Sequence, residues 1–359
     1  MKVLIAAGGT GGHIYPGVAV AKVIMARDAE SEVLFVGTSK GLETRIVPES
    51  GFQLSLINSA GLKNVGIAGK MKGLMVLPRS FFEAWRILRE FAPDVVVGAG
   101  GYVSGPVLLT GHFMGFPTLV MDSNALPGFT NRRLARFVDN AALTFEEAKP
   151  FFGTKGIVTG NPVREEFFGV NERPPVSPFH LLIFGGSQGA RPVNNAMVSA
   201  LPLIKESAVS FVITHQTGEA DFESVESAYK QAEIADADIR PYITNMVEEF
   251  EKADLIICRA GATTCAEIAA AGKACIMVPL PSAADDHQRK NAEAMQKNGA
   301  VRMILQPDLS RERLASEIIG LFSEPQILVE MNRAARKLAR PDAAEATVDI
   351  IEGLNKKGK

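Results

Sequence analysis

Cysteine is scarce in this chain: three in 359 residues, at positions 258, 265 and 275, with no C-x-x-C spacing. An odd, unspaced set argues against a disulfide framework or a zinc site, and the three are expected to be reduced and buried, as in a cytosolic protein. Net charge is nearly absent as well. The 38 Lys and Arg almost cancel the 40 Asp and Glu, leaving −2, so nothing draws the whole molecule to nucleic acid and any basic surface is local. Long apolar runs are missing too. Five apolar residues follow Lys2 before glycine interrupts them, which is too short for the core of a signal peptide. Residues 95–121 carry no Asp, Glu, Lys or Arg, yet six glycines and two prolines lie among them. That composition reads as buried strand, helix and strand rather than as a membrane span, and leaves peripheral membrane contact open. No long repeat or low-complexity segment occurs apart from the lysine-rich tail 356–359.

What is present is apolar and alternating. Hydrophobic residues make up 47% and charged ones 22%, enough for well-packed cores, and the length suits two domains. In the first half, β-rich runs at 3–7, 32–36, 54–57, 94–97, 117–121 and 141–145 alternate with helix-like stretches such as 129–138. That βαβα order implies a parallel sheet covered on both faces. A boundary falls at Gly160-Asn161-Pro162-Val163-Arg164, followed by the proline-rich 173–178. The pattern then restarts, with strands expected at 180–184, 211–214, 238–243, 255–258 and 274–279 and a helix at 193–204. A last helix is expected over 342–355, with Ala344, Val348, Ile351 and Leu354 on one stripe. The reading is α/β: two Rossmann-like parallel sheets in tandem, facing across a cleft, with ligands beyond the carboxyl ends of the strands.

Each half opens with a strand and a glycine turn. The first turn is Gly8-Gly9-Thr10-Gly11-Gly12-His13 and the second is Gly185-Gly186-Ser187-Gln188-Gly189-Ala190. Glycine lets a backbone approach a ligand without a Cβ in the way, and a helix N-terminus adds free N–H groups, so both turns suit an anion. His13 stands at the mouth of the first, where a general base can work. Neither turn is the dinucleotide fingerprint: position 14 is Ile, and the second turn runs G-G-S-Q-G-A. The acidic residue that would hold the ribose of NAD is replaced by Thr38 in the first half and by His215-Gln216-Thr217 in the second. With no Walker A lysine either, nicotinamide and P-loop chemistry are set aside.

Residues 258–272 are unusually rich in small side chains. A helix is expected to start near Thr263, where a diphosphate could come close, with Glu267 in its first turn or just beyond. Glu267 then either accepts hydrogen bonds from a sugar diol or serves its own helix dipole. Asp285 or Asp286 is expected to cap the next helix, with Gln288 as a ligand contact. Asp236 and Asp238 imitate the D-x-D of metal-dependent sugar transferases, but they sit in a polar connection and no metal is expected.

Five runs, 8–13 (GGTGGH), 100–106 (GGYVSGP), 160–164 (GNPVR), 185–190 (GGSQGA) and 266–272 (AEIAAAG), carry a resemblance over essentially the whole chain. It resembles the GT-B glycosyltransferases, and within them the bacterial family that adds N-acetylglucosamine to undecaprenyl-diphospho-muramoyl-pentapeptide in peptidoglycan synthesis. The resemblance implies a first domain, 1–163 with the C-terminal helix 341–359, on the acceptor and membrane side. It implies a donor domain over 164–340 that holds UDP-GlcNAc. There it puts Ser187 at the diphosphate, the backbone of Ile243 at the uracil, Ala262, Thr263, Thr264, Cys265, Ala266 and Glu267 along the nucleotide with Glu267 on the ribose, and Gln288 at the GlcNAc. Thr10, Gly11, Gly12, Asn124 and Arg164 would complete that site. The chain departs from many relatives at Met121-Asp122-Ser123-Asn124, where they have His-Glu-Gln-Asn; the asparagine is kept and the carboxylate is one methylene shorter. His287 likewise stands where some relatives have Gln.

The implied reaction is inverting transfer of GlcNAc from UDP to the MurNAc C4 hydroxyl of lipid I, giving lipid II and UDP without a cofactor. His13 is expected to be the base, with helix N-termini and Arg164 supplying positive character at the leaving diphosphate. The partners implied are UDP-GlcNAc, lipid I and the anionic inner leaflet of the cytoplasmic membrane, bound peripherally on its cytoplasmic face, with no nucleic acid. For that membrane, Lys63, Lys70, Lys72, Arg79, Arg86 and Arg89 are opposed only by Glu83 and Glu90. At helical spacing Met75, Arg79, Phe82, Arg86 and Arg89 form an outer line and Leu74, Leu77, Phe81 and Leu88 a core line, with Pro78 a point where a new helix could begin. The alternatives are another GT-B transferase acting on diacylglycerol, a UDP-sugar epimerase on the same fold, and a non-catalytic nucleotide-sugar sensor or membrane scaffold.

Overall fold

The computed structural model describes residues 1–59, 67–186, 188–234 and 236–357, and for 67–75 and 357 the backbone only. Two compact units divide the chain, 1–163 with 340–359 and 164–339.

The first unit runs β1 (Lys2–Ala7), α1 (Gly11–Arg27), β2 (Glu32–Gly37), α2 (Glu43–Glu49), β3 (Gln53–Leu56), α3 (Ile67–Phe91), β4 (Val95–Gly100), α4 (Ser104–Phe113), β5 (Thr118–Asp122), α5 (Phe129–Leu134), β6 (Asn140–Leu143) and β7 (Gly156–Val158). Its strands form one sheet in the order β3-β2-β1-β4-β5-β6-β7, parallel at every pairing. β4 is apolar throughout and β1 is so after Lys2, because both faces are covered. On one face Ile5 and Phe35 pack with Val20 and Ile24 of α1. On the other, Leu4 and Val96 pack with Leu88 of α3 and Leu108 of α4.

The second unit runs β8 (Phe179–Phe184), α6 (Arg191–Lys205), β9 (Phe211–Gln216), α7 (Phe222–Gln231), β10 (Ala237–Arg240), α8 (Met246–Lys252), β11 (Leu255–Cys258), α9 (Ala262–Ala271), β12 (Cys275–Met277), α10 (His287–Lys297), β13 (Val301–Met303), α11 (Arg311–Ser323) and α12 (Pro325–Lys337). This sheet has the order β10-β9-β8-β11-β12-β13 and is again parallel at every pairing. Leu181, Ile183, Met197, Ile257 and Leu314 belong to its core. The chain then returns to the first unit as α13 (Ala343–Lys357), which buries Val348 and Ile351 and pairs Asp349 with Arg27 of α1 at 2.6 Å.

Each sheet reverses its strand order beside its opening strand, between β1 and β4 in one and between β8 and β11 in the other. The carboxyl ends at such a switch point are where doubly wound sheets take ligands, and both glycine turns leave from there. The alternating pattern thus places the main strands, with local differences. β7 and β13 are unexpected strands of three residues each, too short to show a period. β10 stops at Arg240 instead of running to 243, because Pro241 has no N–H for the ladder. α5 ends at Leu134 rather than 138, and α3 continues through Pro78. All three cysteines are free and buried.

Candidate functional site

In the second unit a cavity of about 410 Å³ opens at the switch point, with Gly186, Arg191, Arg259, Thr264, Gln288 and Gln306 in its wall. Glycine is required at two places in the turn above it: Gly186 has φ +91°, and at Gly189, φ +74°, a Cβ would come 1.9 Å from the Thr217 carbonyl oxygen. The tight turn lets α6 begin directly at the cavity. Arg191 is the first residue of α6, Thr264 stands in the first turn of α9 and Gln288 in that of α10. Three helix N-termini therefore bring positive partial charge to one concavity.

Buried polar side chains hold the walls in place. The Gln216 carboxamide donates to the Gly186 carbonyl at 2.9 Å and accepts the Ile243 N–H at 2.9 Å, tying the glycine turn to the turn after β10. Arg259 donates to the Val278 and Pro279 carbonyls at 3.0 and 3.2 Å and to Gln306 Oε1 at 2.8 Å, and its burial lowers the guanidinium pKa. The Leu280 N–H donates to Gln288 Oε1 at 3.0 Å, which fixes the carboxamide so that its NH₂ is the remaining donor group. Sequence reasoning named Gln288 but missed Gln216, Arg259 and Gln306. Only Arg259 leaves a mark in the sequence, as the one basic residue in the run of small residues 258–272.

The other expected donor residues fall in different surroundings. Glu267 sits on the second turn of α9, half-buried; burial pushes its carboxyl up to about 7, against the opposing pull of the Arg164 charge. The Arg164 guanidinium lies over the Phe167 ring at 4.9 Å. Thr263 Oγ1 is buried without a hydrogen-bond partner among the described residues. Ala262 starts α9 and Ala266 is half-buried within it. The Cys265 side chain points into the core, with Sγ 4.0 Å from Met277 Sδ, and burial raises its thiol pKa; its N–H is already given to Gly261 O, so it offers a ligand neither group. Ser187 lies outside the described residues.

Asp286 occupies the N-cap position of α10 but its side chain makes no cap hydrogen bond, pairing instead with Arg289 at 3.9 Å; Asp285 and Asp286 both lie at positive φ. Asp238 is on β10, where it accepts from Arg240 at 3.0 Å. Among the described residues no group of three or more His, Cys, Asp and Glu could hold a metal ion.

In the first unit the glycine turn is strapped to β4. Gly8 N–H donates to the Gly100 carbonyl at 3.2 Å, and Ser104 Oγ accepts from the Gly100 N–H at 3.0 Å. Thr10 is the N-cap of α1 without a side-chain cap bond, and Gly11, Gly12 and His13 make its first turn. A Cβ at Gly100, φ +128°, would lie 2.2 Å from His13 Nδ1, so the half-buried imidazole rests where only a hydrogen fits. Asp122 is buried at the end of β5. Its carboxylate accepts from the Asn124 N–H at 3.0 Å, the Gly128 N–H at 3.0 Å and Asn131 Nδ2 at 2.8 Å; burial raises its pKa and these donors lower it. Asp122 thereby shapes the loop that carries Asn124. A small cavity of about 10 Å³ gathers Gly12, Asp122, Ser123 and Asn161.

On α3, Arg79, Phe82, Arg86 and Arg89 are exposed, Leu88 is buried, and Leu77 and Phe81 are half-buried. Lys63 and the side chains of Lys70, Lys72, Leu74 and Met75 lie outside the described residues.

Comparison with known proteins bears on the same two units. Residues 3–143 match the glycosyltransferase family 28 N-terminal domain and 180–347 its C-terminal domain. A UDP-N-acetylglucosamine--N-acetylmuramyl-(pentapeptide) pyrophosphoryl-undecaprenol N-acetylglucosamine transferase of Pelobacter propionicus is 44% identical over 98% of this chain and 99% of its own. A crystal structure of MurG from Acinetobacter baumannii is 34% identical, with a TM-score of 0.82 over 98% of this chain and 99% of that one. UDP-GlcNAc 2-epimerase from Neisseria meningitidis, solved bound to UDP-GlcNAc, has a TM-score of 0.71 over 98% of this chain and all of its own at 14% identity, and shares the fold alone. With two parallel α/β units of the GT-B type and a match to both halves of the family, the chain belongs to glycosyltransferase family 28.

Proposed function

We propose that this chain transfers GlcNAc from UDP-GlcNAc to the MurNAc C4 hydroxyl of lipid I, releasing UDP and forming lipid II; its relatives are named as N-acetylglucosamine transferases of N-acetylmuramyl-(pentapeptide) pyrophosphoryl-undecaprenol. The observation that carries the reading is the second-unit cavity: three helix N-termini open on it, and Gln288 presents an NH₂ donor beside them. Such a wall suits a diphosphate with a sugar attached, and its volume is that of a small-molecule site. Glu267 accepts from the ribose, with Arg164 favouring its ionised form. In the reaction His13 takes the proton of the C4 hydroxyl as that oxygen attacks the anomeric carbon from the face opposite UDP. The bond to the diphosphate breaks as the new bond forms, which inverts the anomeric centre. Helix dipoles and Arg164 take up the charge that develops on UDP.

The acceptor is a lipid, so the first unit works against the cytoplasmic leaflet as a peripheral protein. No described helix is long and apolar enough to cross a membrane. Support comes from α3, where exposed Phe82 stacks on Trp85 at 5.9 Å and the Arg89 guanidinium covers the same Trp85 ring at 5.2 Å. Aromatic rings interleaved with basic groups are suited to anionic headgroups.

The test is an assay with labelled UDP-GlcNAc and either lipid I or diacylglycerol, run on wild type and His13→Ala. Labelled lipid II is expected from lipid I alone, with turnover reduced roughly 10²- to 10⁴-fold in the variant. Labelled diacylglycerol, or epimerised sugar without transfer, overturns the substrate assignment; a variant keeping more than about a tenth of wild-type kcat overturns His13 as base.

A further inference from the structure

A buried carboxylate in the first unit has no part in the chemistry above. Glu43 opens α2 and is wholly buried. Its Oε1 accepts the Thr38 N–H at 2.7 Å and the Thr38 hydroxyl at 2.9 Å, while Oε2 accepts the Gly9 N–H at 2.9 Å. The side chain lies in a cradle of glycines. A Cβ would come 1.8 Å from Oε2 at Gly41, 2.5 Å from Cγ at Gly37 and 3.0 Å from Oε1 at Gly8.

A buried carboxylate is costly unless its oxygens are well supplied with donors. Here the donors are two backbone amides and one hydroxyl, drawn from the end of β2 and from the glycine turn. Charge-assisted bonds of this kind are short and strongly directional, so they fix the turn more firmly than a neutral side chain could. The turn is also held from its other side, where Gly8 N–H meets the Gly100 carbonyl at 3.2 Å and the His13 ring packs on Gly100. Gly8 and Gly9 are thus clamped between Glu43 and β4, immediately before the first turn of α1.

We infer that Glu43 is a positioning residue for the transfer: through Gly9 it sets the start of α1 and keeps the His13 imidazole in one orientation. The inference rests on the reading of His13 as base. It separates Glu43 from a merely structural role, in which its loss would lower stability and leave the folded molecules equally active.

The test is Glu43→Gln. The carboxamide fits the same cradle but has one acceptor oxygen, and its NH₂ must face the N–H of either Gly9 or Thr38. With lipid I, kcat is expected to fall at least about tenfold, by more than any rise in the KM for UDP-GlcNAc passed on through Thr10, Gly11 and Gly12. In histidine-labelled protein, the His13 ring resonances are expected to shift without ligand. Unchanged kcat with unchanged resonances overturns the inference, as does a loss of thermal stability with normal turnover of the folded fraction. If Glu43→Gln does not fold, Thr38→Val decides: it removes only the hydroxyl donor, and reduced kcat at an unchanged melting temperature supports the inference while normal kcat refutes it. His13→Ala in parallel distinguishes the failures. Full activity there removes the base and the inference together, whereas an inactive His13→Ala beside a normal Glu43→Gln removes the inference alone.

Discussion

His215 Nε2 lies 3.1 Å from Asn194 Oδ1, deep in the second unit. Its Nδ1 lies 3.1 Å from the Tyr229 hydroxyl, so the net is consistent when the ring carries its proton on Nε2 and accepts from tyrosine on Nδ1. Asn194 Nδ2 donates onward to the Thr217 carbonyl at 2.9 Å and to Asp221 at 3.0 Å, and Asp221 accepts from Arg191 at 2.8 Å. β9, α6 and α7 are joined in one hydrogen-bonded net that ends at the cavity wall.

Burial pushes the His215 pKa down to about 3, so the folded protein holds this ring neutral. The unfolded chain takes up a proton near pH 6.5 and the folded chain does not, so the contribution is lost as pH falls from about 6.5 toward 3. His215→Leu is expected to remove that part of the acid slope in urea melts. It also leaves the Tyr229 hydroxyl and the Asn194 oxygen without partners, at about 1–3 kcal/mol each. An acid slope identical to wild type assigns the effect elsewhere.

Glu267 has the opposite sign. Its folded pKa of about 7 lies above the ordinary carboxyl value, so the folded state binds the extra proton and stability declines as pH rises from about 4.5 to 7. Donor affinity is expected to move the other way, since the ionised carboxylate is the better acceptor for ribose hydroxyls. Calorimetric titration of UDP-GlcNAc should show binding strengthening through pH 7, with the inflection absent in Glu267→Gln and moved upward in Arg164→Ala. A pH-independent wild type contradicts both assignments.

The basic face of α3 is not uniform. Arg79 is paired with Glu83 at 2.8 Å and Arg86 with Glu90 at 3.6 Å, while Arg89 lies on Trp85. Arg89→Glu and Phe82→Ser are therefore expected to weaken sedimentation with anionic liposomes roughly tenfold, and Arg79→Glu much less. Equal effects of Arg89→Glu and Arg79→Glu with Phe82→Ser silent would mean that net charge, not this patch, governs contact.

The α/β alternation was readable because buried parallel strands are continuous apolar runs and the helices between them are amphipathic. The glycine turns were readable for a similar local reason: Gly186 and Gly189 take positive φ, and Gly189 also lies against the Thr217 carbonyl, which favours one residue type. The side chains that hold those turns were not. Glu43 meets Gly9 across 34 positions and Gln216 meets Gly186 across 30, so neither leaves a spacing in the sequence. Cys265 shows a different limit: its place near a helix start was evident, but the rotation that turns it to the core depends on what α9 packs against.

The return of α13 to the first sheet has a consequence for synthesis. Val348, Ile351 and Leu354 belong to the same core as Ile14 and Ile24, yet the whole second unit is translated between them. Co-translational folding usually proceeds from the N-terminal end. In this chain the second unit is contiguous and completes its core from its own residues, whereas the earlier-made first unit keeps an uncovered apolar face until α13 is added. Released chains that end before residue 343 should therefore resist protease over 164–339 and be cut within 1–163.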